Sequence, residues 1–218
     1  MNHVEIRKAA IAEIINPTFE QTKQFLSSNK VIFQDGIPVI ENIVIKEKEK
    51  IAYVYFAIED EPFYLQVNID IDTIATPSFM FMSPGSRVYY TAVSDESNLN
   101  QMLSTIDFEP TLKWEKGQKR NGSGTYNHSR IIYEPIRMMS VEVEDKFNTL
   151  IDFLWLRKER IQKLSKICDG VIQVAYYGYK EQMWGIHHDK ELIRKISELG
   201  LSIDIDLYAS GRDLESMQ

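Results

Sequence analysis

Phe63-Tyr64-Leu65-Gln66-Val67-Asn68-Ile69-Asp70-Ile71 is the stretch that decides the fold class. Side chains of an extended chain leave on alternate sides, so Phe63, Leu65, Val67, Ile69 and Ile71 share one face. Tyr64, Gln66, Asn68, Asp70 and then Asp72 share the other, which predicts a strand with a core face and a wet face. Upstream, Ile51-Ala52-Tyr53-Val54-Tyr55-Phe56-Ala57-Ile58 is β-branched and aromatic and reads as a buried strand. Glu59-Asp60-Glu61-Pro62 turns the chain between the two, giving an acidic β-hairpin.

Toward the N-terminus the period changes to helical. Val4 to Ile15 is amphipathic, Asn16-Pro17 stops it and starts another helix, and Phe19, Thr22, Phe25 and Leu26 share one face of a helix from Thr18 to Ser28. Gln34-Asp35-Gly36 is a turn. Toward the C-terminus, Arg87 to Val93 reads as a strand, Ser94-Asp95 as an N-cap, and Leu99, Met102 and Ile106 as the stripe of a short helix. A strand and loop around Trp114 and a strand at Ile131-Ile132-Tyr133 follow. Glu144 to Cys168 carries the strongest helical stripe, which predicts one long central helix ended by Asp169-Gly170. Strands at Val171 to Tyr177 and Met183 to Ile186, a helix capped by His188-Asp189 and a strand at Leu201 to Tyr208 complete the pattern.

Together these elements predict an α+β fold, a largely antiparallel sheet with helices on one face. The organisation expected is an N-terminal helical pair plus acidic hairpin at 1–82, an α+β domain at 83–210 and a frayed polar tail at 211–218. Asp95, Leu99 and Met102 recur as Asp189, Ile193 and Ile196 at an offset of 94 residues, which suggests duplicated strand-helix-strand halves around the long helix.

Composition narrows the function. The 218 residues are 44% hydrophobic and 26% charged, enough for a core without staples. No apolar run is long enough to span a bilayer, and Met1 to Arg7 lacks the features of a signal peptide, so a cytoplasmic protein with no membrane partner is expected. The single Cys168 allows no internal disulfide. A net charge of −7 argues against nucleic acid as the partner of the whole molecule and favours a cationic one. Charge is also segregated: no Lys or Arg lies between Lys50 and Arg87, where Glu59, Asp60, Glu61, Asp70 and Asp72 are found. Six cations against Glu115 and Glu134 make Thr111 to Arg137 locally +4.

Pro110-Thr111, Trp114, Lys116-Gly117, Arg120, the long helix ending near Cys168 and the closing Asp204-Ile205-Asp206-Leu207-Tyr208 give a further reading. Over Arg87 to Tyr208 the chain resembles the bacterial family catalogued as domain of unknown function 4279. The resemblance implies an α+β domain of a kind suspected of belonging among toxin-neutralising immunity proteins, and it carries over no catalytic residue.

No catalytic or metal centre emerges from spacing. His187-His188-Asp189 has no second ligand pair at His-x-x-x-His or Cys-x-x-Cys spacing, so helix capping is the expected role. Asp70 with Asp72, and Asp204 with Asp206, stand on one strand face about 7 Å apart. Alternation already demands polar residues there, although an undetected hydrolase could use such pairs. Neither a Gly-x-Ser-x-Gly elbow nor a phosphate-cradling glycine loop is present. The expectation is therefore a non-enzymatic inhibitor of the immunity or antitoxin type, needing no cofactor or metal. It would occlude a cationic toxin domain with Glu59, Asp60, Glu61, Asp70 and Asp72, with Tyr64 as an aromatic anchor. The alternative is a nucleic-acid or nucleotide-binding module in which Trp114 stacks on a base while Lys116 and Arg120 hold phosphate. The oligomeric state is not encoded in any of these patterns.

Overall fold

A computed structural model describes residues 2–214 and has the expected α+β architecture, with six helices and eleven strands among them. Helices α1 (His3–Ile15) and α2 (Glu20–Ser28) come first. A small hairpin, β1 (Phe33–Gln34) and β2 (Ile37–Pro38), turns at Asp35 and Gly36, both at positive φ, as a type I′ turn requires. Strands β3 (Ile40–Lys46), β4 (Ile51–Ala57), β5 (Tyr64–Asp70) and β6 (Thr76–Ser83) then form an antiparallel meander. Leu65, Val67 and Ile69 are fully buried under Ile6, Ala10 and Ile14 of α1 and Phe25 of α2. Each such side chain contributes about 2 kcal/mol. Strands β3 and β6 were not anticipated: Pro77 and the mixed polarity of 37–50 hide their alternation.

The second sheet has the order β11-β10-β7-β9-β8. Its members are β7 (Gly85–Ser94), β8 (Leu112–Trp114), β9 (Ser129–Tyr133), β10 (Asp169–Tyr179) and β11 (Ser202–Ser210). All neighbours are antiparallel except β10 and β11. Four helices, α3 (Leu99–Ser104), α4 (Val143–Trp155), α5 (Lys158–Leu164) and α6 (Lys190–Leu199), pack on one face around Tyr90, Phe147, Leu150, Leu154, Ile172 and Val174.

Several local expectations are corrected. The long helix is two: Arg157 leaves helical geometry at φ −118°, ψ 23°, with its guanidinium over Phe153 and its Nε 3.0 Å from Asp107. Both segments still bury their stripes in one core, so the sequence period survives the break. Asp169-Gly170 opens β10 rather than only ending a helix, and Met183 to Ile186 is not a strand. The cap of α3 is Asn98, in a capping box with Gln101, not Asp95. The two strand-helix-strand units are only partly alike, because β11 lies beside β10 whereas β9 separates β8 from β7.

Pro84 links the sheets, and side chains cross the seam. Lys46 bridges Glu142 at 3.2 Å and Asp145 at 2.9 Å, Asn42 donates to the Ser140 carbonyl at 2.9 Å, and the Trp184 indole donates to the Met82 carbonyl at 2.9 Å. Tyr179, the last residue of β10, pairs with Ser210 in its own sheet but carries its ring into the first core beside Phe25 and Phe63. The chain beyond β11 is held rather than frayed up to Leu214: the Tyr179 hydroxyl donates to the Arg212 carbonyl, Lys180 bridges Asp213, and Leu214 packs on the first core. The rest of the polar tail expected at 211–218, residues 215–218, lies outside the described residues.

Candidate interaction surfaces

The acidic hairpin does not form one patch. Strand β5 is seven residues long, so at about 3.3 Å per residue its ends lie roughly 20 Å apart. Glu59, Asp60 and Glu61 stand at one end, Asp70 and Asp72 at the other. Cations from outside the stretch reach both ends, Lys30 lying 3.7 Å from Glu59 and Lys50 pairing with Asp72. Ser210 donates to Glu61 at 2.6 Å, and the Asp72 N–H donates to Asp70 at 2.8 Å, a turn contact. The face expected to be wet is largely covered. Gln66 is 1% exposed and donates to Asn68 at 2.7 Å, and half-buried Tyr64 packs edge-on against Tyr55. Burial pushes the Tyr64 phenol up from its ordinary value. Gln66 lines one cleft with Glu142, Val143 and Trp184 from the other half, which the alternation of one strand cannot reveal.

In the basic segment, an isolated bridge between Lys119 and Thr125 closes a wing above β8 and β9. The Trp114 ring stacks on Tyr126 at 4.7 Å, with the Arg130 guanidinium 5.6 Å from Trp114 and that of Arg120 5.0 Å from Tyr126. Trp114 and Arg120 are thus joined through Tyr126. Lys116 points elsewhere, its Nζ donating to the Asp95 carbonyl at 3.0 Å. The indole surface a base would need is partly used within the protein.

A third surface was not anticipated as a site. No helix packs on the opposite face of the five-stranded sheet among the described residues, although Thr91 and Ile132 on it are buried among their neighbours. Register places Trp114 beside Arg130, Arg130 beside Val93 and Ile132 beside Thr91. Register likewise aligns Arg87 with Ala175, Ala175 with Asp206 and Tyr177 with Tyr208. Its side chains hold one another in place. Arg87 makes a bidentate pair with Glu134, at 3.0 Å and 2.7 Å, and lies 5.2 Å from the Tyr89 ring centre. Glu134 is 4% exposed while the Arg87 side chain is 40% exposed, so a buried carboxylate is held by a half-exposed guanidinium. Tyr177 stacks on Tyr208 at 5.1 Å, and Gln173 donates to Asp206 at 3.0 Å. Burial raises the Tyr89 phenol, opposed by Arg87 and Arg130. Positive charge therefore lies over β7 and β9, negative charge along β11. The alternation of Arg87, Tyr89, Thr91 and Val93 with Val88, Tyr90 and Ala92 was a readable signal of this face.

The residues considered for chemistry are dispersed. Among the described residues no group of three or more His, Cys, Asp or Glu could hold a metal ion. Asp189 caps α6 by accepting from the Leu192 N–H at 2.8 Å, and His188 packs edge-on against Phe147. Burial pushes the Cys168 thiol up to about 11. No helix is long and apolar enough to cross a membrane among the described residues.

No curated protein and no solved structure matches the chain. A family model described as "Domain of unknown function (DUF4279)" matches residues 84–210, a span that begins at the Pro84 link and ends with β11, so it takes in the whole uncovered sheet. The chain belongs to this family.

Proposed function

We propose that this protein is a protein-binding inhibitor of the immunity or antitoxin type that covers its partner with the uncovered face of the five-stranded sheet. One observation carries the reading: Arg87, Tyr89, Trp114, Arg130, Tyr177 and Tyr208 stand together on a face with no helix over it among the described residues. Arg, Tyr and Trp dominate interface hot spots because they bring large area and directional hydrogen bonds. Here ion pairs and ring stacks already restrict them, which lowers the ordering cost of binding. The charge gradient from β9 to β11 favours a partner with the opposite gradient and fixes its orientation. This face replaces the acidic hairpin as the preferred docking surface, because the hairpin carboxylates are split between two ends and partly paired.

A second reading, single-stranded nucleic acid on the same face, is favoured by the Trp114–Tyr126 stack with Arg120 and Arg130 around it. The test is affinity capture from source-cell lysate on the wild-type chain and on a Tyr89→Ala/Arg130→Ala variant. Pairwise titration of the purified captured protein, with assay of that protein's own activity, follows. The expected result is a stoichiometric complex that suppresses the partner's activity, with the variant weakened by about 3 kcal/mol, roughly 100-fold in Kd. Equal binding by the variant, or no selective capture, would overturn the proposal. Oligonucleotide binding whose affinity falls steeply with salt would promote the second reading.

A further inference from the structure

A sheet edge exposes unpaired N–H and C=O groups, and proteins blunt such edges by shortening them, kinking them, covering them or placing Lys or Pro there. Three of the four outer edges of the two large sheets follow that rule. Strand β8 is three residues long, β3 is broken in register between Ile40 and Asn42 and ends in Lys46, and β6 carries Pro77, a register shift and flanking contacts from α1 and α2. Strand β11 is protected only by two aspartates, Asp204 and Asp206. It runs nine residues beside β10 without a register shift, contains no Pro, Lys, Arg or Gly, and leaves Leu207 63% and Tyr208 50% exposed. Its only charges are Asp204 and Asp206, on one face, while Ile203, Ile205 and Leu207 line the other.

We infer that β11 is a docking edge for an extended segment of a partner protein, added as a further strand, in which Lys or Arg alternates with apolar residues. The cations would face Asp204 and Asp206, the apolar side chains would pack beside Ile205 and Leu207, and the backbone ladder would supply the rest. A second copy of this chain is the wrong occupant. In antiparallel self-pairing centred on Ile205, Asp204 of each copy faces Asp206 of the other, and like charges directly opposite are destabilising. The two aspartates thus oppose self-pairing in the registers centred on Asp204, Ile205 or Asp206, which include the one that pairs the whole strand, while favouring a basic strand. This inference rests on the protein-binding reading above but uses a separate part of the surface.

The probe is a short fluorescent peptide alternating lysine and valine, titrated by anisotropy, with shifts of the β11 backbone amides followed by NMR. Two controls accompany it: a glutamate–valine peptide, and the lysine–valine peptide N-methylated on alternate amides. Wild type is expected to bind the lysine–valine peptide at least tenfold more tightly than either control, with shifts concentrated in Ser202–Ser210. Asp204→Lys/Asp206→Lys, checked for folding by circular dichroism, is expected to reverse the preference between the charged peptides. Absence of binding, equal affinity for the N-methylated peptide, an unreversed preference or dimerisation through β11 would overturn the inference. Tyr89→Ala/Arg130→Ala should leave peptide affinity unchanged. Failure of that variant to weaken the captured partner, with peptide binding intact, would sink the face reading and leave the edge standing.

Discussion

Replacing Lys146 with Met should convert a pH-dependent stability into a flatter one. Lys146 is 0% exposed on α4, and its ammonium pairs with no carboxylate among the described residues. Its ammonium donates to the Ser86 carbonyl, to the Ser86 hydroxyl at 3.0 Å and to the Met139 carbonyl at 3.2 Å. Burial, reinforced by Arg87 and opposed by Glu134, lowers the amine from 10.5 to about 8. In the unfolded chain the amine regains its ordinary value. Below pH 8 both states are protonated and the full cost of burying the charge, about 3 kcal/mol, is present. Between about pH 8 and 10.5 the unfolded state binds more protons than the native state, so stability rises with pH. From pH 7 to pH 9.5 the gain is about 2 kcal/mol. Buried Tyr55 and Tyr90, whose phenols burial raises, act in the opposite direction at high pH in both proteins and cancel in the difference. Urea unfolding of wild type and Lys146→Met at pH 7 and 9.5 measures this. Wild type should gain about 2 kcal/mol relative to the variant. Parallel pH profiles would refute the claim that Lys146 is desolvated.

Gly85→Ala should lower stability by about 3 kcal/mol, because an added Cβ would lie 1.8 Å from the Pro62 carbonyl oxygen, and backbone cannot give way as a side chain can. A thermal melt should show a Tm lower by roughly 6–12 °C, and an unchanged Tm would contradict that close approach. Asp189→Ala should cost about 1 kcal/mol through the lost cap on α6, with Asp189→Asn retaining most of it, as read by urea midpoints.

Elements whose alternation or period is complete were legible: β4, the core face of β5, the helical stripes and the positions of β7 and β10. What sequence could not supply was long-range. Gln66 and Asn68 read as solvent-facing, yet both are buried, and Gln66 shares a cleft with the start of α4 and Trp184, more than seventy residues away in sequence. The break at Arg157 has no proline or glycine to announce it, only contacts with Phe153 and Asp107 that the tertiary fold creates. Five carboxylates close in sequence suggested a patch, but a strand's length divides them and Lys30 and Lys50 meet them from outside the window. The uncovered face follows from strand order and from every helical connection crossing the same side. Neither is written in any single segment.

Tyr179 extends the family-matched span into a core that the span does not own. Cut at residue 84, the isolated segment would carry this ring without Phe25 and Phe63, losing about 3 kcal/mol of burial and gaining an adhesive tip at the end of β10. The boundary of relatedness is therefore not a boundary of foldability. A strand rooted in two cores makes each the scaffold of the other, so the intact protein should melt in a single calorimetric transition, and the segment from residue 84 expressed alone should aggregate where the full chain does not.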